Sequence, residues 1–115
     1  MGEPESEQVL DLLADDYARE ILAYLSKQPM LVEELGEKCD GSKSTIYDRV
    51  DQLQAAGLVS ENLQIDPHGH HRKQYETILN AVLVTFADGQ YEIQLEIEED
   101  TPDRFARMWG NIRGE

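Results

Sequence analysis

The sequence predicts an α+β chain, and three observations carry that prediction. Apolar residues recur at helical spacing through the first half. They alternate with polar residues through much of the second half. A polar glycine turn, Asp40-Gly41-Ser42, separates two of the short helical stripes. With 115 residues, 40% of them hydrophobic, the chain is long enough for one modest core.

Val9, Leu10, Leu12 and Leu13 begin a first helix, after an acidic stretch that predicts a frayed end. Asp15 or Asp16 is suited to cap a second helix, whose inner face is Ala18, Ile21, Leu22 and Leu25 and which Pro29 stops. A short third helix runs from Glu33 to Cys39 with Leu35 inward. Ser42 caps a fourth, with Ile46, Val50 and Leu53 inward and Gly57 as its terminator. Leu58 to Ile65 and Arg72 to Asn80 form a hairpin with a long polar tip. A second hairpin turns at Asp88-Gly89, with Val82, Val84 and Phe86 before it and Tyr91, Ile93, Leu95 and Ile97 after it, giving one wet and one buried face. Thr101-Pro102 opens a last helix striped by Phe105, Met108, Trp109 and Ile112.

Two short helices about a tight turn, followed by a hairpin, make a winged helix-turn-helix. The expected fold class is therefore α+β, a winged helix-turn-helix with an extra C-terminal β-hairpin and a C-terminal dimerisation helix. The segments are a flexible acidic N-terminus over 1–8, a DNA-binding domain over 9–80, and the hairpin with its dimerisation helix over 81–115, all in one compact domain. The fourth helix leaves its first turn free for a major groove, where it presents Ser42, Lys43, Ser44, Thr45, Tyr47 and Arg49. Hydroxyls and N–H groups at a helix start suit phosphate oxygens, and an arginine suits a guanine edge.

From Pro67 to Tyr75 there is no acidic residue, in a chain with 24 of them. His68, His70, His71, Arg72 and Lys73 are thus expected to meet the DNA backbone or a minor groove. The three histidines raise the question of a metal, but without a nearby thiolate or carboxylate they make a poor closed site, and no metal or cofactor is expected. Phe105, Met108, Trp109 and Ile112, joined by Val9, Leu12 and Leu13 of the first helix, are the expected dimer interface.

The net charge of −14 has the wrong sign for a DNA binder. It is compatible with one in a salty medium, because at about 1 M salt the Debye length is about 3 Å. Salt cations bound at the DNA interface would then be part of the complex. The single cysteine, Cys39, makes no intrachain disulfide and is expected as a small buried side chain, with a redox-sensing thiol as the sharper alternative. The first residues lack a basic and apolar leader, which together with the absence of a long apolar run predicts a cytoplasmic location. No phosphate loop, zinc-protease motif or nucleophile elbow points to an enzyme. The competing class is a protein-interaction module that keeps the winged fold and no longer binds DNA. A ligand or metal sensor that also binds DNA rests on the histidines alone.

The stretch from Leu12 to Ser60, above all DDYAREIL, VEEL, STIYDRVDQL and AAGLV, resembles the haloarchaeal winged-helix regulators related to the ArsR and PadR groups. The resemblance covers about half of the chain. It implies a homodimer acting on palindromic promoter DNA, with Ser44, Thr45, Tyr47 and Arg49 in the groove, and points to a regulator of the response to reactive oxygen. Relatives often carry a basic residue at the position of Asp48, which weakens any contact borrowed there. The paired cysteines of metal-sensing relatives are absent.

Overall fold

The structure, a computed structural model, describes residues 6–98. The elements follow in the order α1 (Ser6–Ala14), α2 (Asp16–Lys27), β1 (Met30–Leu31), α3 (Val32–Lys38), α4 (Lys43–Ala55), β2 (Val59–Ile65), β3 (His71–Thr77), β4 (Leu79–Ala87) and β5 (Gln90–Ile97). The chain divides into two compact units between Thr77 and Ile78, where the sequence predicts a single compact domain. None of the helices among the described residues is long and apolar enough to cross a membrane.

The first unit is a helical core closed by a small sheet. Val9 and Leu12 of α1, Ile21, Leu22 and Leu25 of α2, Leu35 of α3, and Ile46, Val50 and Leu53 of α4 are all buried. Those of α2, α3 and α4 are the residues that the helical spacing places inward, whereas Val9 and Leu12 are expected at a partner. The caps follow the sequence as well: the Asp15 carboxylate accepts from Ala18 N at 2.8 Å, and Ser42 Oγ accepts from Thr45 N at 3.2 Å. Glu34 accepts from Leu31 N at 2.8 Å, which holds the start of α3. Helix α1 begins at Ser6, inside the stretch expected to be frayed, so residues 6–8 are helical.

Sheet order is β1-β3-β2, antiparallel throughout. The two-residue strand β1 pairs Met30 with Tyr75 and Leu31 with Gln74, an element too short to show in an apolar pattern. In the β2–β3 hairpin Val59 faces Thr77 and Ile65 faces His71. Val59, Tyr75 and Thr77 are buried at its root, and Thr77 Oγ1 donates to the Leu22 carbonyl at 2.8 Å, tying the hairpin to α2.

Gly41 fixes the turn between α3 and α4. A Cβ there would lie 3.0 Å from Tyr17 Cε1 and 3.3 Å from Ile46 Cδ1, a tight fit that a side chain meets only if Tyr17 and Ile46 give by a few tenths of an ångström.

The second unit is the β4–β5 hairpin, turning at Asp88 (φ 54°) and Gly89 (φ 75°). Val82 faces Leu95, Val84 faces Ile93 and Phe86 faces Tyr91, so these six side chains share one face. The alternation was legible, but the expected burial is not found. Phe86 is 76% exposed and Tyr91 56%, while Ile93 and Leu95 are only half-buried.

Candidate nucleic-acid interface

Helix α4 turns Ile46, Val50 and Leu53 into the core and therefore turns Lys43, Ser44, Tyr47, Asp48, Asp51 and Ala55 outward. Its first turn holds no acidic residue. Ser42 and Thr45 occupy each other there: besides the cap, Ser42 Oγ donates to Thr45 Oγ1 at 3.0 Å, and Ser44 Oγ lies 3.3 Å from Ser42 Oγ. The hydroxyls expected in the groove thus form a local cluster at the helix start, in which Ser42 acts as the cap. Tyr47 is 39% exposed, and Lys43 is also exposed.

Arg49 is placed differently from its expected role. Its Nε donates to Asp15 Oδ2 at 2.9 Å and its Nη2 to Asp15 Oδ1 at 3.2 Å, while Nη1 donates to Asp48 Oδ2 at 2.8 Å. The side chain is 26% exposed. The guanidinium therefore lies between two carboxylates and is not presented to solvent as a base-reading fork. The hydrogen bonds that Arg49 donates to Asp15 push the Arg49 pKa up, and the same bonds hold the Asp15 carboxyl below its ordinary value against the opposing effect of burial. Gln52 Nε2 donates to the same Asp48 oxygen at 2.7 Å.

The β2–β3 hairpin ends in a turn built on Asp66. Its Oδ1 accepts from His68 N at 2.9 Å and His70 N at 2.8 Å, and its Oδ2 lies 3.2 Å from His70 Nδ1. Backbone bonds Asp66 N to His70 O and Gly69 N to Asp66 O close the loop, with Gly69 at φ 83°. These bonds, led by that from His70 N, hold the Asp66 carboxyl below its usual range. The tip expected to be a long polar loop is thus an ordered Asx-type turn, with His68, His70 and His71 exposed on it. Among the described residues no group of three or more His, Cys, Asp or Glu gathers to hold a metal ion.

Arg72 and Lys73 are adjacent on β3 and so point to opposite faces of the hairpin. Lys73 Nζ is 3.9 Å from Glu61, which also accepts from Gln54 of α4, so Lys73 lies on the face turned toward α4. Arg72 lines a shallow cavity with Leu31, Glu34, Gln64, Asp66 and Gln74.

The interface residues expected on α1 are placed otherwise. Val9 (0% exposed) and Leu12 (4%) fill the core of their own unit and are not available to a partner, while Leu13 is half-buried. Phe105, Met108, Trp109 and Ile112 lie outside the described residues. Cys39 is buried, and burial, with Glu20 and Asp40 nearby, pushes its thiol up to about 11.

Sequence reasoning did not find the roles of Asp15 beyond capping, of Asp48 with Gln52, or of Asp66. Only Asp66-Pro67-His68-Gly69 carries a local signal, that of an aspartate opening a turn. Residues 13–62 match a family model described as a helix-turn-helix domain, from the end of α1 to the middle of β2. Comparison with curated proteins finds no match. The matched stretch consists of helices and antiparallel strands with α3, the Gly41 turn and α4 at its centre, an arrangement that fits a helix-turn-helix domain.

Proposed function

We propose that this helix-turn-helix protein is a sequence-specific regulator of transcription that binds double-stranded DNA as a homodimer. The observation that carries the reading is the outward face of α4. Its first turn presents Lys43 and Ser44 without an acidic group, with Tyr47 just beyond, in the stretch that matches the helix-turn-helix model. In this reading α4 of each subunit enters a major groove of a palindromic site. The β2–β3 hairpin acts as the wing, with Lys73, Arg72 and the tip histidines on the backbone or in a minor groove.

Dimerisation is assigned to the C-terminal stripe of Phe105, Met108, Trp109 and Ile112. The exposed apolar face of β4–β5 supports a further contact, since an isolated two-stranded hairpin is marginal in water. The acidic balance fits a high-salt cytoplasm, with cations between the carboxylates of the protein and the phosphates. A role in the response to reactive oxygen would have to run through something other than direct oxidation of Cys39, whose thiol is buried and held protonated. No catalytic step is assigned.

A second reading, a protein-interaction module without DNA, is favoured by one feature: Asp48 and Asp51 both lie on the outward face of α4. The experiment that separates the two is fluorescence anisotropy on the promoter of the protein's own gene and on a scrambled duplex, from low to multimolar KCl. Preferential binding that holds or rises with KCl supports the regulator, because ordinary counterion release would weaken binding as salt rises. No binding at any salt by folded protein supports the interaction module.

A further inference from the structure

We infer that Asp48 is a specificity-determining residue that reads the exocyclic amino group of a cytosine in the major groove, an inference that rests on the DNA-binding reading above. The carboxylate is on the outward face of α4, one residue beyond Tyr47, and its side chain is 55% exposed. Both of its protein hydrogen bonds fall on one oxygen: Arg49 Nη1 at 2.8 Å and Gln52 Nε2 at 2.7 Å reach Oδ2. Oδ1 takes no hydrogen bond from the described residues and remains an acceptor with a fixed direction. Two donors on one oxygen hold the group in place before any ligand arrives, which lowers the cost of ordering it on binding.

The chemistry of that acceptor selects its partner. An ionised carboxylate has no proton to give, so it is repelled by the acceptor atoms O6 and N7 of guanine and O4 of thymine. Cytosine offers N4–H2 with no acceptor beside it on its own edge. Adenine offers N6–H2, but its N7 acceptor lies next to it and opposes the carboxylate. Cytosine is therefore favoured over the other three bases. Arg49 supplies the positive charge that makes a carboxylate tolerable among phosphates, and Asp15 holds Arg49 there from α2. Arg49 is thus a positioning residue in this arrangement, and the base is met by Asp48.

The test is selection of binding sites from a random duplex pool by the full-length protein, carried out with wild type, Asp48→Ala and Asp48→Asn in KCl-rich buffer. The wild-type motif is expected to contain a C·G pair at one position of each half-site. Asp48→Ala should flatten the preference at that position by roughly tenfold, the size of a single base-pair mismatch, and leave the rest of the motif in place. Asp48→Asn should move the preference toward adenine, because an amide can take both N6 and N7. An unchanged motif with Asp48→Ala overturns the inference. So does loss of all enrichment by both variants with helical circular dichroism intact, since Asp48 would then hold the helix in place and not read a base. Failure of the wild type to enrich any sequence overturns the DNA-binding reading itself and removes the inference with it.

Discussion

Arg49 of α4 and Asp15 at the N-terminus of α2 are joined by two hydrogen bonds, 2.9 Å and 3.2 Å, across 34 residues of chain. The same Asp15 carboxylate caps α2 through Ala18 N. One side chain therefore caps one helix and ties another to it. With both side chains only about a quarter exposed, the contact is less open to screening than a surface pair.

Loss of Asp15 should show in stability and in its dependence on pH. Asp15→Ala should cost roughly 1–2 kcal/mol from the cap alone. The carboxyl is held below its ordinary 3.8 in the folded chain, chiefly by the hydrogen bond from Arg49. The unfolded chain therefore takes up the proton first. The stabilisation is complete above the ordinary value and is lost as pH falls through the lower folded value. Urea midpoints between pH 7 and pH 3 should drop less for Asp15→Asn than for wild type.

Arg49→Ala should weaken binding to a scrambled duplex and still more to the promoter, because it leaves the Asp15 and Asp48 carboxylates without their cation and Asp48 without one of its two positioning donors. Adding Asp48→Ala to that variant should recover part of the affinity. Titration by anisotropy in KCl checks both. A loss confined to the promoter, and the same size in the Asp48→Ala background, would return Arg49 to the role of a direct base contact.

The turn before α4 should resist even a methyl group. Gly41→Ala places a Cβ 3.0 Å from the Tyr17 ring, and where the ring is held by its neighbours overpacking of this kind costs roughly 1–3 kcal/mol. Tyr17→Ala in the same chain should make the two changes less than additive, as read by a double-mutant cycle.

Asp66→Ala should loosen the hairpin tip without unfolding the domain. The amides of His68 and His70 lose their acceptor, so their hydrogen-exchange protection should fall while that of α2 and α4 is unchanged. In the DNA-binding reading, affinity drops by a similar factor for every sequence.

Native protein at pH 8 should react slowly with a thiol reagent, and fast once unfolded in urea. Cys39 is buried and its pKa is raised to about 11, so little thiolate is present at that pH. Cys39→Ser should leave DNA binding as it is under both reducing and mildly oxidising conditions.

The helices were legible because their information is local. Ile46, Val50 and Leu53 declare an inner face by spacing, and Asp15, Ser42 and Gly57 declare helix ends by residue type. The hairpin at Asp88-Gly89 is local in the same way. What was not legible depends on distance in sequence. Nothing near Arg49 says that its partner is Asp15, and a groove-facing arginine and a buried-side latch look the same in one dimension. Strand β1 exists only because β3 offers it two residues of ladder. Val9 and Leu12 fit a partner or their own core equally well by pattern, and the core took them.

The two faces of the β4–β5 ribbon are chemically unlike. Val82, Val84, Phe86, Tyr91, Ile93 and Leu95 share one side, and Glu92, Gln94 and Glu96 lie on the other, where Leu83 is the one large apolar side chain. A ribbon greasy on both sides could stack without end, copy upon copy. This one can be covered once, and the outer surface of the resulting layer is again acidic. Covering its apolar face leaves the glutamates of its back on the outer surface.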